Sequence, residues 1–391
     1  MLTRGTRTLL ATGAAAAVLA GAVPSALAAE GGAPQQVTFA GEAWGHGHGL
    51  SQYGAKARGE AGDGYREILG FYYPGTTVDS ATGRIRVLVT GDTSRDVVVE
   101  DRKGLRVTAL GNGRTWTPRQ QARLWRITPG ERGRSVISYK TGRWREWRTV
   151  PGDAELSARG GALRLRTPAG PVDYRGALRS ATPANGGSER DTVNVVPLDA
   201  YVKGVVPDEM PAQWDADAVR AQAVAARTYA AYERAAVPAG RHFDVWDTTR
   251  SQVYGGRTAE EPESNAAVRA TAREVLSFEG GLAFTQFARS NGGWTSQGWV
   301  HGEDAAYLPA REDRFDRKDD SWTATFDADE ITDLWPGMGD LESITLERDV
   351  NEKWVDRVTV QGSAFSRSVS GETFASWLGL RSHFFDDPVL S

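Results

Sequence analysis

The stretch VVPDEMPAQW, residues 205–214, places a glutamate where it could donate a proton. Glu209 stands between Pro207 and Pro211, which stiffen the backbone on either side, and its neighbours include the apolar Met210. A carboxyl group in a poorly solvated pocket has a raised pKa and can serve as a general acid near neutral pH. A carboxylate at the start of a helix is also stabilising, and the local pattern taken alone favours this capping role.

A second stretch, WGHGHGLSQYGA at residues 44–55, combines histidine, aromatic residues and glycine. His46 and His48 are two positions apart and would share one face of an extended chain. A closed metal site needs three or four ligands, so metal binding is the minority interpretation. A sugar-binding cleft with Trp44 and Tyr53 stacking on the rings fits the composition better, and a tight glycine-rich turn is a purely structural alternative.

Two further stretches are weak indicators by themselves: FDVWDTTRSQVYGG at residues 243–256 and FARSNGGW at residues 287–294. Asp247 and Thr249 fit a turn in which an aspartate side chain bonds the backbone. Asn291, followed by two glycines, fits a hairpin loop. Both stretches therefore permit a structural interpretation as well as a functional one.

Hydrophobic periodicity indicates which elements must position these residues. Alternation at period two with regular turn signals predicts antiparallel β structure from residue 84 to about residue 179. Helices are predicted at residues 64–72, 216–235, 263–272 and 373–378, and strands at 193–198, 274–280 and 283–290. The predicted fold class is therefore α+β and rich in β structure.

The first residues have the layout of a secretory signal peptide. Arg4 and Arg7 precede a short apolar run, and small residues follow at the expected cleavage site, which predicts a signal peptide over residues 1–28. Residues 29–37 are predicted to be a flexible leader. A retained N-terminal anchor is the alternative, although the run is short for a membrane span. After cleavage we expect no membrane span and a secreted or cell-wall location.

The composition excludes several classes of site. The formal net charge of −4 argues against nucleic acid as a partner, because a phosphate backbone requires a clustered basic surface. The chain has no cysteine, which excludes disulfides, thiolate metal sites and a cysteine nucleophile. Four tryptophans in the β-rich region are candidate stacking residues or core residues: Trp116, Trp125, Trp144 and Trp147.

Several blocks together resemble the SpoIID/LytB family. They are LDAYVKGVVPDEMPAQWDADAVRAQAVAARTYA at residues 198–230, DTTRSQVYGG, FARSNGGWTSQ, YLPAREDRFD and VSGETFASWLGLRSHFF. The resemblance spans residues 38–391 and implies a SpoIID-like core in which a few helices pack on antiparallel sheets. The resembling region divides into a WGHG segment at 38–78, an inserted β-rich lobe at 84–180 and a catalytic core at 191–391. In this family the WGHG segment often follows the core, whereas here it precedes it.

The resemblance implies lytic transglycosylase action on peptidoglycan glycan strands, in particular strands stripped of stem peptides, with Glu209 as the catalytic acid. Candidate substrate contacts are Arg220, Gln222, Arg227, Trp44, His46, His48, Gln52, Asp247, Thr249 and Asn291. The three helix residues Arg220, Gln222 and Arg227 could position the strand or the acid, and pairing along the helix surface is the alternative, equally favoured for Arg220. Family members with a metal site carry His and Cys where this chain has Arg250 and Ser251, so we expect no metal and no cofactor. The alternatives are a glycan-binding modifier that stimulates a cell-wall amidase and, third, a metallohydrolase using the histidine pair.

Overall fold

A computed structural model describes most of the chain after its N-terminal segment. The described residues are 34–184, 186, 189–316 and 320–391. Within them, helices pack against antiparallel sheets, and the predicted β-rich α+β class is confirmed. The predicted signal peptide lies outside the described residues.

The predicted flexible leader is wrong at its C-terminal end. Gln36 already begins a strand, Gln36–Gly41, which pairs antiparallel with Trp322–Asp327. Val37 is fully buried in this strand, which belongs to a small core formed with the C-terminal region. Tertiary pairing with a distant strand, which local composition cannot reveal, orders these residues.

Two large sheets form the β-rich region. The six-stranded sheet has the spatial order Trp144–Pro151, Arg134–Lys140, Leu124–Pro129, Val97–Glu100, Leu163–Thr167 and Gly170–Tyr174. The seven-stranded sheet has the order Val245–Trp246, Arg84–Leu88, Asp191–Pro197, Ala177–Ala181, Ala154–Ala158, Leu105–Ala109 and Thr115–Trp116. Buried side chains of both sheets, such as Trp125 and Leu156, belong to one core. Trp125 is therefore a core residue.

The β-rich lobe and the expected catalytic core share the seven-stranded sheet. Strand Asp191–Pro197 from the core pairs with Arg84–Leu88 on one side and Ala177–Ala181 on the other. Val245–Trp246 extends the same sheet by a parallel pairing with Arg84–Leu88. The lobe is thus continuous with the region that carries Glu209.

The helices are α1 Gln52–Glu60, α2 Tyr65–Tyr72, α3 Leu198–Lys203, α4 Val206–Glu209, α5 Ala216–Ala236, α6 Pro262–Ala270, α7 Ala328–Thr332 and α8 Gly371–Leu378. Helix α5 is the central one and contacts α1, α2, α3 and α6. Its many alanines are buried on several faces, because small side chains let neighbouring helices approach closely. None of the helices in the described residues is long and apolar enough to cross a membrane.

Smaller sheets complete the fold. Three have three strands: Trp322–Asp327, Gln36–Gly41 and Val389–Leu390; Gly281–Leu282, Glu274–Phe278 and Thr77–Ser80; and Leu341–Arg348, Val355–Gly362 and Ser366–Ser370. Three have two strands: Leu50–Ser51 with Phe287–Ala288, Trp294–Thr295 with Arg311–Glu312, and Trp299–Val300 with Glu303–Asp304. The strand predicted over residues 283–290 is therefore wrong in length, because its partner Leu50–Ser51 offers only two residues for pairing.

Candidate active site

Glu209 is the last residue of α4, and the chain leaves the helix directly after it. Met210 adopts an extended conformation with φ −140° and ψ 130°, and Pro211 follows. The cap of α5 is instead Asp215, whose carboxylate accepts the backbone N–H of Asp217 at 2.8 Å. The capping interpretation of Glu209 is therefore wrong, and its carboxyl group is left for another role.

Two donors from distant parts of the chain hold the Glu209 carboxylate. The backbone N–H of Val253 donates to Oε1 at 2.9 Å, and the side chain of Gln52 donates a second hydrogen bond. Burial raises the pKa of Glu209 above its ordinary value, the two donors oppose the rise, and the charge of Asp208 adds to it. The side chain remains partly exposed, so other molecules can approach a carboxyl group whose pKa is raised.

Gln52 reaches Glu209 because α1 begins at this residue. Ser51 caps α1 by accepting the backbone N–H of Gly54 at 3.0 Å, and its hydroxyl donates to Asp316 at 2.7 Å. These bonds fix the first turn of α1, and Gln52 is 7% exposed. The segment at residues 38–78 thus contributes directly to the site around the predicted acid.

The glycines of this segment permit close packing. Gly47 and Gly49 have φ of +74° and +66°, which favours glycine over other residues. A Cβ atom at Gly47 would overlap the ring of Trp354, and one at Gly49 would overlap the carbonyl oxygen of Gln286. The glycine spacing therefore reflects the approach of other parts of this chain.

A buried glutamine fixes the backbone that presents the Val253 N–H. Gln252 is 1% exposed; its Oε1 accepts the Tyr201 hydroxyl at 3.1 Å, and its Nε2 donates to the carbonyl of Ala226 at 3.3 Å. These partners lie in α3 and α5. The stretch DTTRSQVY is therefore attached to the helical core at the residue next to the donor.

Asp247 organises the start of the same stretch. Its carboxylate accepts both the backbone N–H and the hydroxyl of Thr90, the latter at 2.6 Å, and its carbonyl oxygen accepts the N–H of Tyr254 at 3.2 Å. The carboxylate is thus occupied by a residue 157 positions earlier in the chain rather than by the predicted local turn. Thr249 is exposed and remains a candidate contact.

Aromatic and arginine side chains form a continuous track that begins next to Gln52. The rings of Tyr53 and Trp214 are 4.9 Å apart between centroids. The Arg289 guanidinium lies 5.0 Å from the Tyr53 ring centre and 4.7 Å from that of Trp44, and Arg381 also stacks on Trp44 at 4.7 Å. Trp44 is 42% exposed. We call these five residues the aromatic track; within it, the Arg289 guanidinium also pairs with Asp320 at 3.4 Å.

The histidine pair lies together, but within a packed cluster. The rings of His46 and His48 stack with 4.9 Å between centroids, and that of His383 lies 6.2 Å from His48. Burial lowers the pKa of His48 to about 4 and that of His383 to about 3, and it also lowers that of His46. His48 is 1% exposed, so direct sugar contact by His48 is wrong, whereas His46 keeps part of its surface. The described residues contain no group of three or more acidic or histidine side chains able to hold a metal.

Three predicted substrate contacts are instead buried. Arg227 is fully buried and donates to Asp199 at 2.7 Å and to backbone carbonyls. Gln222 is fully buried in α5, and Asn291 is 1% exposed with its amide donating to Asp313 at 3.0 Å. Direct substrate contact is therefore wrong for these residues, because their face of the helix or turn packs against other parts of the chain.

Arg220 is partly exposed and pairs with Asp217 at 3.0 Å, one helical turn away. Asp217 also accepts the backbone N–H of Tyr65 at 3.3 Å, at the start of α2. Arg220 thus supports a junction between two helices, which matches the surface-pairing alternative.

Sequence reasoning missed the Val253 donor and the Arg289 and Arg381 members of the track. A backbone N–H has no side-chain signature, so its role could not be read from the sequence. Arg289 lies within the stretch FARSNGGW, in which the asparagine and glycines indicate a turn and the arginine has no pattern of its own.

Comparison with known proteins identifies the segment around Glu209. Residues 186–278 match the model of a family described as Stage II sporulation protein, SpoIID. This segment is therefore similar to the SpoIID family. The SpoIID segment includes α4, the whole of α5 and the Val253 donor, whereas Gln52 and most of the aromatic track lie outside it.

Similar proteins share only part of their length with this chain. An amidase enhancer of Bacillus subtilis (strain 168) is 37% identical over 131 residues, which is 33% of this chain and 17% of that protein. Stage II sporulation protein D of Bacillus amyloliquefaciens is 30% identical over 149 residues, 34% of this chain and 43% of that protein. An uncharacterized protein of Brachyspira hyodysenteriae (strain ATCC 49526 / WA1) is 41% identical over 103 residues, 26% and 28% of the two chains. The chain thus spans less than half of each relative.

Proposed function

We propose that the protein is a secreted lytic transglycosylase that cuts peptidoglycan glycan strands after N-acetylmuramic acid. Strands stripped of stem peptides are the proposed substrate, and Glu209 is the proposed catalytic residue. The observation that carries the proposal is a partly exposed carboxyl group, in a segment that matches SpoIID, whose pKa is raised by burial. It is held by the Val253 N–H from the same segment and by Gln52 from outside it.

The proposed reaction moves one proton to Glu209 and one away from it. The protonated carboxyl group donates its proton to the glycosidic oxygen, and the bond between that oxygen and the anomeric carbon breaks. The carboxylate then accepts the proton of the primary hydroxyl of the same sugar, whose oxygen bonds to the anomeric carbon. The products are an anhydro end and a new free hydroxyl, without the consumption of water. One carboxyl group serves as acid and then base, so the second carboxylate of ordinary glycosidases is not needed.

The surroundings of Glu209 suit both halves of this cycle. Burial favours the protonated form that must be present when the strand binds. The Val253 N–H and the Gln52 amide stabilise the carboxylate that forms after proton transfer, because hydrogen bonds to an ionised acceptor are the stronger ones. The same two donors therefore hold the side chain in place in both protonation states.

The aromatic track supports strand binding next to the acid. Tyr53 follows Gln52 directly in α1, and Trp214 lies five residues after Glu209. Their rings are in contact, and Trp44 extends the track through Arg289. Apolar ring faces with interleaved guanidinium groups suit muramic acid, which carries a carboxylate once its peptide is removed.

A second function is favoured by one comparison. A relative with 37% identity over 131 residues is named amidase enhancer, so this chain could bind glycan and stimulate a cell-wall amidase without cutting the strand itself. In that case Glu209 would contribute to the glycan-binding surface. Its replacement would then change glycan binding, and neither protein would cleave the strand.

Product analysis by mass spectrometry tests the proposal. The chain without its predicted signal peptide, its Glu209→Gln variant and a Glu263→Gln control at an exposed position of α6 are incubated with intact and with amidase-stripped glycan strands. We expect anhydro-ended fragments from the wild type and the control, and a rate at least about 100-fold lower with Glu209→Gln. If no protein releases fragments while all bind glycan, and the wild type accelerates a purified amidase, the modifier function replaces the transglycosylase.

A further inference from the structure

The charges of this chain are separated between two regions. Residues 84–180 contain 21 of the 46 Arg and Lys residues but only 9 of the 50 Asp and Glu residues, a net charge of +12. The remainder of the chain therefore has a net charge of −16. The small net charge of the whole chain conceals a strongly basic lobe attached to an acidic remainder.

Four of these 21 basic residues lie on one exposed hairpin, residues 140–148, which we call the basic hairpin. It joins Arg134–Lys140 to Trp144–Pro151, and the latter is an edge strand of the six-stranded sheet. Lys140, Arg143, Arg145 and Arg148 have no carboxylate partner within 4.0 Å in the part of the chain that the structure describes. Its one acid, Glu146, accepts the Thr149 hydroxyl at 2.7 Å.

Tryptophan rings stack on one arginine of the basic hairpin, Arg148, and on a neighbouring arginine, Arg126. The guanidinium of Arg148 lies 4.6 Å from the Trp116 ring centre and 5.0 Å from that of Trp147. On Trp144, the guanidinium of Arg126 lies at 4.2 Å. Stacking on a ring restricts the guanidinium while its N–H groups still point outward in its plane, where they can bind an anion with two parallel hydrogen bonds.

The basic hairpin also borders a surface hollow of about 630 Å³. Lys140 stands in its wall together with Arg123 and Arg166, and the carboxylates Glu100 and Asp101 line the same hollow. Arg166 is paired with Glu100 at 3.1 Å, and Asp101 accepts the indole N–H of Trp125 at 2.7 Å. The hollow therefore presents Lys140 and Arg123 as its unpaired cations, next to the arginines of the hairpin.

We propose that the basic hairpin binds a phosphodiester-linked polymer of the cell envelope. Guanidinium groups bind phosphate in two-pronged fashion, and a polymer with repeated phosphates can engage several such groups at once. The acidic remainder of the chain is repelled by the same polymer, so binding would orient the molecule with the lobe toward it. This surface shares no residue with the surroundings of Glu209, so the inference goes beyond the proposed catalysis, while the choice of an envelope polymer rests on the proposed secreted location.

Protection of an edge strand is the competing explanation, since charged side chains on an edge prevent strand addition by another chain. That role requires charge but no particular ligand. A binding surface differs because its loss must weaken attachment to walls that contain the polymer, and because that attachment must fall steeply with salt.

Sedimentation with purified cell walls tests the proposal. One portion of walls from a Gram-positive bacterium keeps its phosphodiester-linked polymers, and the other is stripped of them with hydrofluoric acid. The proteins are the chain without its predicted signal peptide, the triple variant Arg143→Gln, Arg145→Gln, Arg148→Gln, and a control of equal charge change outside the lobe, Arg269→Gln, Arg357→Gln, Arg367→Gln. Thermal unfolding confirms that each variant is folded.

We expect the wild type and the control to bind untreated walls at least about tenfold more tightly than stripped walls, and the triple variant to lose this difference. Raising salt from 50 to 200 mM should weaken wild-type binding by about tenfold or more. Equal binding to both walls, or an unaffected triple variant, would overturn the proposal. So would duplex DNA or phosphatidylglycerol vesicles that compete better than the released polymer at equal phosphate concentration. The assay reads attachment, so a failure to detect anhydro ends would leave its result intact.

Discussion

The side chain of Gln52, at the start of α1, donates a hydrogen bond to the carboxylate of Glu209, at the end of α4. The two residues come from opposite sides of the β-rich lobe in the sequence. The contact brings the WGHG segment, which lies outside the matched SpoIID residues, into the candidate active site. The position of that segment before the core therefore does not prevent it from completing the site.

Replacement of Gln52 by Leu should change the pH dependence of glycan cleavage. The Gln52 hydrogen bond lowers the pKa of Glu209, so its loss should raise that pKa further and move the alkaline limb of the pH–rate profile upward. We expect kcat at neutral pH to fall about tenfold, because the carboxylate formed in the reaction loses one donor. Gln213→Leu, at an exposed glutamine that donates to Glu261, is the matched control. An unchanged profile would show that Gln52 does not act on Glu209.

Replacement of Glu209 by Gln should stabilise the fold at neutral pH. Burial raises the pKa of Glu209 in the folded state, so keeping the carboxylate ionised costs stability above that pKa and costs none below the ordinary value of 4.5. Gln can still accept the Val253 N–H. Urea unfolding should therefore show a higher free energy of unfolding for the variant at pH 7, with the two proteins converging below about pH 4. A variant that is less stable than the wild type at both pH values would contradict the expectation that the ionised Glu209 carboxylate destabilises the fold.

Acidification should destabilise the protein through its buried histidines. The pKa of His48 is lowered to about 4 and that of His383 to about 3, so the unfolded chain binds protons more readily once the pH falls below 6.5. For His48 alone the shift corresponds to about 3 kcal/mol when the pH reaches 4. His383→Phe, which keeps a ring against Trp354, should lose less stability between pH 7 and pH 4 than the wild type.

Urea unfolding at several pH values measures this effect. His301→Gln serves as the control, because His301 is exposed and its ring bonds the Tyr232 hydroxyl, outside the buried histidine cluster. Identical slopes of stability against pH for the wild type and His383→Phe would mean that the buried cluster does not control acid sensitivity.

Two arginines of α5 should differ in their contributions to stability. Arg227→Met removes a fully buried group that bonds Asp199 and three carbonyls, and should cost about 2–4 kcal/mol of unfolding free energy. Arg220→Gln removes a partly exposed pair with Asp217 and should cost under about 0.5 kcal/mol. Denaturant unfolding and glycan binding are measured on both variants. Unchanged stability with weaker glycan binding in Arg227→Met would restore the role in substrate contact.

Local patterns in the sequence sufficed for elements whose stability depends on nearby residues. The predicted helix at 216–235 corresponds to α5, Ala216–Ala236, because Asp215 caps its start and helix-forming residues follow without interruption. The alternation of apolar and polar residues at period two likewise predicts the β-rich region, because it depends on neighbouring residues in each strand. Its flanking prolines and apolar neighbours distinguish Glu209 in the sequence, and the SpoIID match confirms the family resemblance over residues 186–278.

The surroundings of each site residue depended on distant segments of the chain. The family resemblance gave Gln222 and Arg227 as candidate substrate contacts in α5, but neighbouring elements bury both side chains, so these residues contact protein rather than solvent. The donors to Glu209 are a side chain from another helix and a backbone N–H, which carries no sequence signature. The composition likewise gives the net charge of the chain. The pairing of Arg134–Lys140 with Trp144–Pro151 shows that the cations of the basic hairpin lie together at the edge of a sheet.

The sequence by itself therefore determined the long helix α5, the β-rich character of residues 84–179, the family resemblance and the candidate acid, because these follow from residues close together along the chain. Only the tertiary structure decided that Glu209 is held by Gln52 and Val253, and that burial raises its pKa. Desolvation and hydrogen bonding depend on which groups replace water around a side chain, and those groups come from parts of the chain that meet only on folding.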